Sequence, residues 1–298
     1  MTTHKTARYR IQHRTRYQYG DAVALCHNQL RMAPRDTKST QCHDVRLTIE
    51  PPPRRIIEHT DYFGNRVHSF SVETLHDSLT VAVFSEVTVT DFRERGSLAS
   101  PEWESIRSQL IGHEDPNWFD VGEYRYNSPR VRCDTAFRDY AADCFTAQRP
   151  ILEAAMDLTR KIHADFRYDS TATSVHTTTE EAFRGKAGVC QDFAHVQLAC
   201  LRSLNLPARY VSGYLRTIAP DGQKQLIGAD ESHAWISVYA GSDLGWVDFD
   251  PTNACFASTD HISIGHGRDY DDVSPMRGIA LGGGDTTLSV SVNVTQVR

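Results

Sequence analysis

Three residues in the second half of the chain have the types and the order that acyl transfer through a thiol requires. Cys190 lies in the segment Gly-Val-Cys-Gln-Asp-Phe-Ala-His, His233 in Ser-His-Ala-Trp, and Asp250 in Gly-Trp-Val-Asp-Phe-Asp-Pro-Thr-Asn. A cysteine thiolate can attack a carbonyl carbon, and a neighbouring histidine can pass the proton to the leaving group. A carboxylate fixes the imidazole tautomer and stabilises the imidazolium. The order along the chain is therefore nucleophile, base and orienting carboxylate.

The residues that follow Cys190 predict a helix that begins at the thiol. Apolar residues recur there at spacings of three and four, namely Phe193, Ala194, Leu198, Leu201 and Leu204. The helix ends near Asn205, because Pro207 cannot continue it. Cys190 then lies in the first turn, where unpaired backbone N–H groups and the positive end of the helix dipole favour a thiolate.

The residues around His233 and Asp250 predict a β-hairpin. Residues 232–239 alternate and are rich in β-branched and aromatic side chains, and residues 246–250 form the returning strand before Pro251. Residues 241–245 between them have turn composition. Antiparallel pairing with a further strand, predicted at 209–215, would form a sheet that packs on the Cys190 helix.

The register of this hairpin decides whether His233 meets a carboxylate. We take Tyr239 to pair with Trp246 across the turn. His233 then lies diagonal to Asp250 on the same face, and a shift of the register by two residues would place them directly opposite. Either register leaves their Cβ atoms about 5 to 8 Å apart. Asp248 lies one step further along that face and is the poorer candidate.

Together, the three segments resemble the signature segments of the transglutaminase-like superfamily, specifically its bacterial branch. The resemblance is strongest over residues 150–255. Residues 269–275 and the N-terminal third also resemble this family's two-part members, so the likeness covers most of the chain. It implies a papain-like core, a cysteine-protease type of activity and a Cys-His-Asp triad at Cys190, His233 and Asp250.

The same resemblance implies an oxyanion hole. An aromatic donor upstream of the cysteine completes the hole in this family, and Tyr168 is the candidate here. The alternative is a tyrosine packed in the core. The backbone N–H of Cys190 is a second candidate donor, because it points out of a helix N-terminus.

The predicted fold class is α+β, with an antiparallel β domain followed by a papain-like transglutaminase core. Alternating strands with turns between them predict a β-rich domain over residues 1–95. Residues 96–130 are interpreted as a connecting region with little regular structure and one short helix near 101–110. Residues 131–298 are assigned to the core, in which helices follow Asp134 and Pro150 and the final strand closes the sheet.

Composition excludes several classes of function. The net charge of −6 over 298 residues, with lysine and arginine spread along the chain, argues against a nucleic-acid partner. No apolar run approaches the ~18 residues of a membrane span, and the N-terminus lacks the apolar part of a secretory signal, which predicts a cytoplasmic protein. The seven cysteines form no C-x-x-C pair, so we expect neither a disulfide framework nor a structural zinc site.

A second cluster of acidic residues lies at Asp269, Asp271 and Asp272. The cluster lacks the ligand spacing of a calcium-binding EF-hand loop. We therefore predict a helix cap or a charge network beside the cleft, with a cation site as the alternative, and we expect no metal and no cofactor elsewhere.

The residues leave three functions open. Hydrolysis of a peptide or protein amide by water is the default, because nothing in the sequence supplies a second amine site. Transfer to a lysine-like amine, or deamidation of glutamine, shares the same first step. A non-catalytic module that binds peptides is the third possibility. The sequence sets no oligomeric state.

Overall fold

The chain folds into two antiparallel β-sheets, with helices packed on the second, so the predicted α+β class is confirmed. The computed structural model describes residues 4–92, 98–174, 177–216 and 232–297. Residues 218–227 have the composition of a polar loop, which we predict there, and they lie outside the described residues. Within those residues, no helix has both the length and the apolar character needed to cross a membrane.

The N-terminal part of the chain forms most of the first sheet, as its alternating sequence predicts. Its strands are β1 (Lys5–Leu30), β2 (Thr40–Glu50), β3 (Ile56–Thr60), β4 (Arg66–Val72) and β5 (His76–Asp91). They lie in the order β2-β5-β1-β4-β3. Along β1, Tyr9, Ile11 and His13 are buried, and the residues between them are exposed. This is the period-two alternation of a strand with one face against a core.

The region between the first sheet and the core contains more regular structure than predicted. Helix α1 (Trp103–Ile111) confirms the short helix expected near 101–110. A second helix, α2 (Trp118–Gly122), runs into a 3₁₀ turn (Glu123–Arg125), so the expectation of little other structure was wrong. The reason is packing: Trp103, Val121 and their neighbours belong to the main hydrophobic core rather than to an exposed linker.

The core helices begin where their caps predict. They are α3 (Thr135–Ala142), α4 (Ile151–Asp165), α5 (Thr179–Gly185) and α6 (Cys190–Ser203), with a two-stranded parallel pair, β6 (Arg167–Tyr168) and β7 (Ala187–Gly188), beside them. The Asp134 side chain accepts a hydrogen bond from the backbone N–H of Ala136. Pro150 directly precedes α4 and makes no side-chain capping hydrogen bond. Helix α6 is central, and Cys200 on it is fully buried, where it packs as a small hydrophobic side chain.

The second sheet supports α6. Its strands, in the order β11-β10-β9-β8-β12, are β8 (Ala208–Leu215), β9 (Ser232–Tyr239), β10 (Trp246–Asp250), β11 (Cys255–Phe256) and β12 (His261–Gly267), followed by the short helix α7 (Tyr270–Val273). Ala234, Ile236 and Val238 of β9 share one core cluster with Leu198 and Leu201 of α6. The predicted packing of the hairpin on the Cys190 helix is thereby confirmed.

The last two strands return to the first sheet, which corrects one prediction. Both β13 (Met276–Gly282) and β14 (Thr286–Val297) pair with β1, whereas we expected the final strand to close the sheet of the core. Val292 and Val294 are buried in a cluster with Tyr9 and Ile11. The division into 1–95, 96–130 and 131–298 stays a prediction, and the pairing of β14 places the C-terminal residues with the N-terminal sheet.

The two sheets meet through a mixed apolar and polar contact. Tyr214 of β8 and Ile262 of β12 lie in the same buried cluster as Tyr9 and Ile11 of β1. The buried His13 imidazole contacts the Tyr214 hydroxyl at 2.6 Å. The first sheet therefore packs against the second sheet, which carries the hairpin, and supports it.

Candidate active site

Cys190 is the first residue of α6, the position that the sequence predicts. Val189 is the N-cap residue, and the Asp192 carboxylate accepts hydrogen bonds from the Val189 backbone N–H at 2.8 Å and from the Thr173 hydroxyl at 2.7 Å. This is half of a capping box. The Cys190 thiol is half-buried at the N-terminus of α6. The first backbone N–H groups of a helix have no intrahelical partner.

Gly188 leaves the space in which Asp192 caps this helix. A Cβ at position 188 would lie 2.3 Å from Asp192 Oδ2 and 2.8 Å from its Cβ. We expect Gly188→Ala to lower the free energy of unfolding by about 1–3 kcal/mol through overpacking, and to slow alkylation of Cys190 by iodoacetamide. Gly185→Ala is the matched control, because no heavy atom lies within 4 Å of its added methyl group. Equal behaviour of the two variants in denaturant titration and labelling would contradict this account.

The hairpin has the register assumed from the sequence. Trp246 pairs with Tyr239, which confirms the pairing across the turn and puts Asp250 on the same face as His233. His233 Nε2 lies 2.9 Å from Asp250 Oδ2, and both side chains are fully buried. Asp248 instead accepts a hydrogen bond from the Trp235 indole N–H at 3.1 Å.

Backbone and side-chain donors converge on the Asp250 carboxylate. Its Oδ1 accepts hydrogen bonds from the backbone N–H groups of Thr252 at 2.9 Å and of Asn253 at 3.2 Å. Its Oδ2 accepts one from the Asn253 side-chain amide at 2.7 Å. The turn is tied to α4, because His163 Nδ1 donates to the Thr252 carbonyl oxygen at 2.8 Å. These hydrogen bonds fix the orientation of the Asp250 carboxylate relative to the His233 imidazole.

The electrostatics favour an ionised pair. Burial by itself raises the pKa of a carboxyl group, but the positive charge of His233 and the hydrogen bonds of His233 and His261 hold the pKa of Asp250 well below its usual range. Burial lowers the pKa of His233, and the negative charges of Asp250 and of Cys190 outweigh it and raise that pKa to about 10. The imidazolium form of His233 is therefore stabilised at neutral pH.

One imidazole nitrogen of His233 is left for the thiol. Nε2 is occupied by Asp250, and Nδ1 has no aligned hydrogen-bond partner in the described part of the chain. The negative charge of Cys190 contributes to the raised pKa of His233, as expected of a thiolate that interacts with the imidazole. Catalytic hydrogen bonds are often long or poorly aligned before a substrate binds.

His261 and Asn253 also contact Asp250, and sequence reasoning assigned a role to neither. Ser258 donates its backbone N–H to His261 Nδ1 at 3.2 Å, so Nε2 carries the ring proton and donates it to Asp250 Oδ2 at 3.1 Å. Asn253 follows Asp250 by three residues, a spacing that a side-chain-capped turn could have revealed. His261 gives no such signal, because it lies on another strand.

Loss of the His261 donor should weaken the site without unfolding it. We expect His261→Ala to slow Cys190 alkylation by about 10- to 100-fold, the value of one hydrogen bond to a charged group, and His261→Gln to recover part of that loss through its amide N–H. The measurement is the second-order rate constant with iodoacetamide, with thermal unfolding as a fold control. A wild-type rate in His261→Ala would remove His261 from this role.

Tyr168, the candidate oxyanion donor, lies next to β7, the short strand that precedes Cys190. It is on β6, where it pairs with Gly188 of β7, two residues before Cys190. Its side chain is 37% exposed, so the alternative of a tyrosine packed in the core was wrong. Its ring contacts Phe193 of α6 at a centroid distance of 6.4 Å.

Two clusters could hold a metal by composition. Ligand atoms of Asp250, Cys255 and His261 lie within 4.8 Å of one another, and such a donor set suits zinc. An ion there would have to take the Nε2 position that His261 uses as a donor and compete with His233 for Asp250. The observed hydrogen bonds therefore do not fit a resident metal.

The acidic cluster after β12 is a cap and a charge network, as predicted. Asp269 caps α7 and accepts the backbone N–H of Arg130 at 2.8 Å. Asp271 binds the Arg130 guanidinium at 2.7 Å, and Asp272 accepts two hydrogen bonds from the Arg268 guanidinium at 2.9 and 3.0 Å. All three carboxylates are thus engaged by protein donors.

Comparison with known proteins agrees with this architecture. The model of the bacterial transglutaminase-like N-terminal region matches residues 9–88, and the model of the transglutaminase-like superfamily matches residues 138–251. The chain is 37% identical to an uncharacterized protein of Mycobacterium tuberculosis over 97% of its length and 93% of the relative. It is 33% identical to an uncharacterized protein of Mycobacterium leprae, covering 97% of this chain and 99% of the relative.

One solved structure has the same fold over almost the whole chain. A protein from Cytophaga hutchinsonii, named as a putative cysteine protease, superposes with a TM-score of 0.76 at 20% sequence identity, covering 99% of this chain and 92% of that protein. At this identity the match establishes the fold alone. Both sheets and the helices packed on the second sheet lie within the matched region.

Proposed function

Because this chain belongs to the transglutaminase-like superfamily, we propose that it catalyses thiol-dependent acyl transfer on peptide or protein amides, with hydrolysis as the outcome. The observation that carries the proposal is the buried His233–Asp250 pair, 2.9 Å apart, in one core with the helix that begins at Cys190, whose charge raises the pKa of His233. In this proposal Cys190 is the nucleophile, His233 the general acid and base, and Asp250 the orienting carboxylate.

The proposed reaction begins with the thiolate of Cys190 and the imidazolium of His233. The sulfur attacks the amide carbonyl carbon, and the carbonyl π electrons move to oxygen. As the intermediate collapses, the C–N bond breaks and His233 gives its proton to the leaving amine. A thioester on Cys190 and a neutral imidazole remain, and Asp250 holds the imidazole in the tautomer that can next accept a proton.

Water then resolves the thioester. Neutral His233 takes a proton from the water molecule as its oxygen attacks the thioester carbon, and the C–S bond breaks to release the acid. The thiolate and the imidazolium are restored. An amine in place of water would give a new amide by the same steps, which is the transglutaminase alternative, and attack on a glutamine side chain followed by water would give deamidation.

Two donors are proposed for the oxyanion. The backbone N–H of Cys190 belongs to the unpaired first turn of α6. The Tyr168 hydroxyl is the second, because β6 pairs directly with the strand that leads to the nucleophile and the side chain is exposed. Donors placed where negative charge develops supply a large share of catalysis in acyl transfer.

A peptide library incubated with and without a primary amine tests the proposal. Mass spectrometry should reveal cleaved peptides, with Cys190→Ala as the blank. Amine adducts would indicate a transferase instead of a hydrolase, and glutamine-to-glutamate conversion without cleavage would indicate a deamidase. A library left unchanged, together with iodoacetamide labelling of Cys190 at the rate of an ordinary thiol, would favour a non-catalytic peptide-binding module and overturn the enzyme.

A further inference from the structure

A trough of about 520 Å³ crosses the exposed face of the first sheet and contains none of the proposed triad. Four neighbouring strands, β3, β4, β1 and β13, form it. Three strand spacings separate the outer two, so the trough is roughly 14 Å across. Its volume lies within the range of ligand-binding clefts.

Short polar side chains make up the floor of the trough. Cross-strand pairing places His27 beside Ser71, and Gln29 beside Ser69, at the centre of the four strands. His27 and Gln29 are exposed, and His27 Nδ1 contacts the Ser71 hydroxyl at 2.5 Å. The floor therefore offers hydrogen-bonding groups to a polar backbone.

Longer side chains rise at both walls. On one side these are Arg54, Arg55 and Ile57, which is 47% exposed, and on the other they are Arg277 and Ile279, which is 69% exposed. Ile57 pairs across with Ser69, whereas Arg277 and Ile279 pair across with Gln29 and His27. Each wall thus combines positive charge with a branched apolar side chain.

The wall arginines are not paired with any carboxylate in the part of the chain that the structure describes. Within the described ranges, Arg54, Arg55 and Arg277 make no ion pair and no side-chain hydrogen bond, although all three are exposed. Arg8 of the same sheet, by contrast, binds Glu86 at 2.8 Å. Three unpaired guanidinium groups around one concavity, in a chain of net charge −6, form a local site of the opposite sign.

We propose that this trough binds an acidic peptide segment in an extended conformation. Side chains of an extended chain alternate, so carboxylates can reach the guanidinium groups while apolar residues contact the isoleucines of the walls. The serine and histidine groups of the floor can bond the peptide backbone. Glu73 is the one carboxylate among the trough residues, and it leaves a net positive lining.

A peptide suits the trough better than a long polyanion. Nucleic acid and anionic membranes require a positive footprint that continues beyond one concavity, whereas the chain as a whole is negative. The isoleucines of the walls would also face phosphate groups, with which an apolar side chain makes no favourable contact. A short segment with two or three carboxylates matches the local charge.

Fluorescence anisotropy with two labelled peptides tests the proposal on the full chain carrying Cys190→Ala, which prevents turnover. The probe is (Glu-Val)₄, and its partner is (Gln-Val)₄. We expect the glutamate probe to bind at least about tenfold more tightly, because guanidinium–carboxylate contacts provide the attraction, and its binding to weaken with salt. Equal binding of the two peptides would overturn the proposal.

Matched charge reversals locate the site. Arg55→Glu with Arg277→Glu should reduce binding of the glutamate probe about tenfold or more. Arg14→Glu with Arg16→Glu changes the net charge equally on exposed positions of β1 and should leave binding unchanged. Equal losses in both variants would mean that the attraction is diffuse and would refute the site.

Arg55→Gln with Arg277→Gln repeats the test if the charge reversal impairs folding, as judged by circular dichroism. Displacement of the probe by DNA or anionic vesicles at lower concentration than by unlabelled peptide would also refute the peptide assignment.

Discussion

Cys190→Ala should abolish amide turnover, with a fall in rate of about 10⁴-fold or more, because no other group can form the thioester. The fold should be retained, since the thiol is half-buried at the start of α6 and the substitution removes only its sulfur. The measurement is product formation from whichever peptides the wild type converts, with thermal unfolding recorded for both proteins.

Two controls separate the nucleophile from thiols in general. Cys133→Ala removes another half-buried thiol, outside α6, and should keep full activity. Iodoacetamide should label Cys190 fastest in the wild type, and His233→Ala should bring that rate to the level of an ordinary thiol. Turnover that survives in Cys190→Ala would remove the nucleophile from the proposed mechanism.

Asp250→Asn should lower the rate by about 10⁴-fold, the loss seen when a triad carboxylate becomes an amide. An asparagine keeps the shape but presents N–H donors to His261 or His233, which already donate to this position. The buried imidazolium would also lose its counter-charge, so the free energy of unfolding should fall by about 3–5 kcal/mol. Asp248→Asn is the matched control. Its carboxylate accepts from Trp235 rather than from His233, so it should retain most of the activity.

The His233–Asp250 pair also predicts a pH dependence of stability. The pKa of His233 is raised from 6.5 to about 10, so its contribution is complete below pH 6.5 and is lost as the pH rises toward 10. The pKa of Asp250 is lowered, so its contribution is present above its unfolded pKa of 3.8 and is lost as the pH falls. Denaturant unfolding should therefore show a gap between wild type and Asp250→Asn that is widest between pH 4 and 6.5 and shrinks toward pH 10. A gap that widens in alkali would contradict the charged pair.

Local signals in the sequence were sufficient for most elements of the site. The spacing of apolar residues after Cys190 predicted α6, because a helix with one face against a core must repeat every three to four residues. The turn between Tyr239 and Trp246 suggested a register that the structure confirms, and both registers considered favoured Asp250 over Asp248. Caps at Asp134 and Pro150 marked the starts of α3 and α4.

Contacts between distant elements needed the tertiary structure. The alternation of β14 predicted a half-buried strand, but a period of two suits any available sheet edge, and only packing against Tyr9 and Ile11 of β1 selected its partner. His261 gave no sequence signal for the same reason: its bond to Asp250 depends on how β12 and β10 lie in one sheet, separated by β8 and β9. The sequence by itself determined which residues could do the chemistry and on which elements they lie, because helices, turns and hairpins form between near neighbours. The fold alone decided which side chains hold that chemistry in place, because those contacts form only when strands far apart in the chain come together.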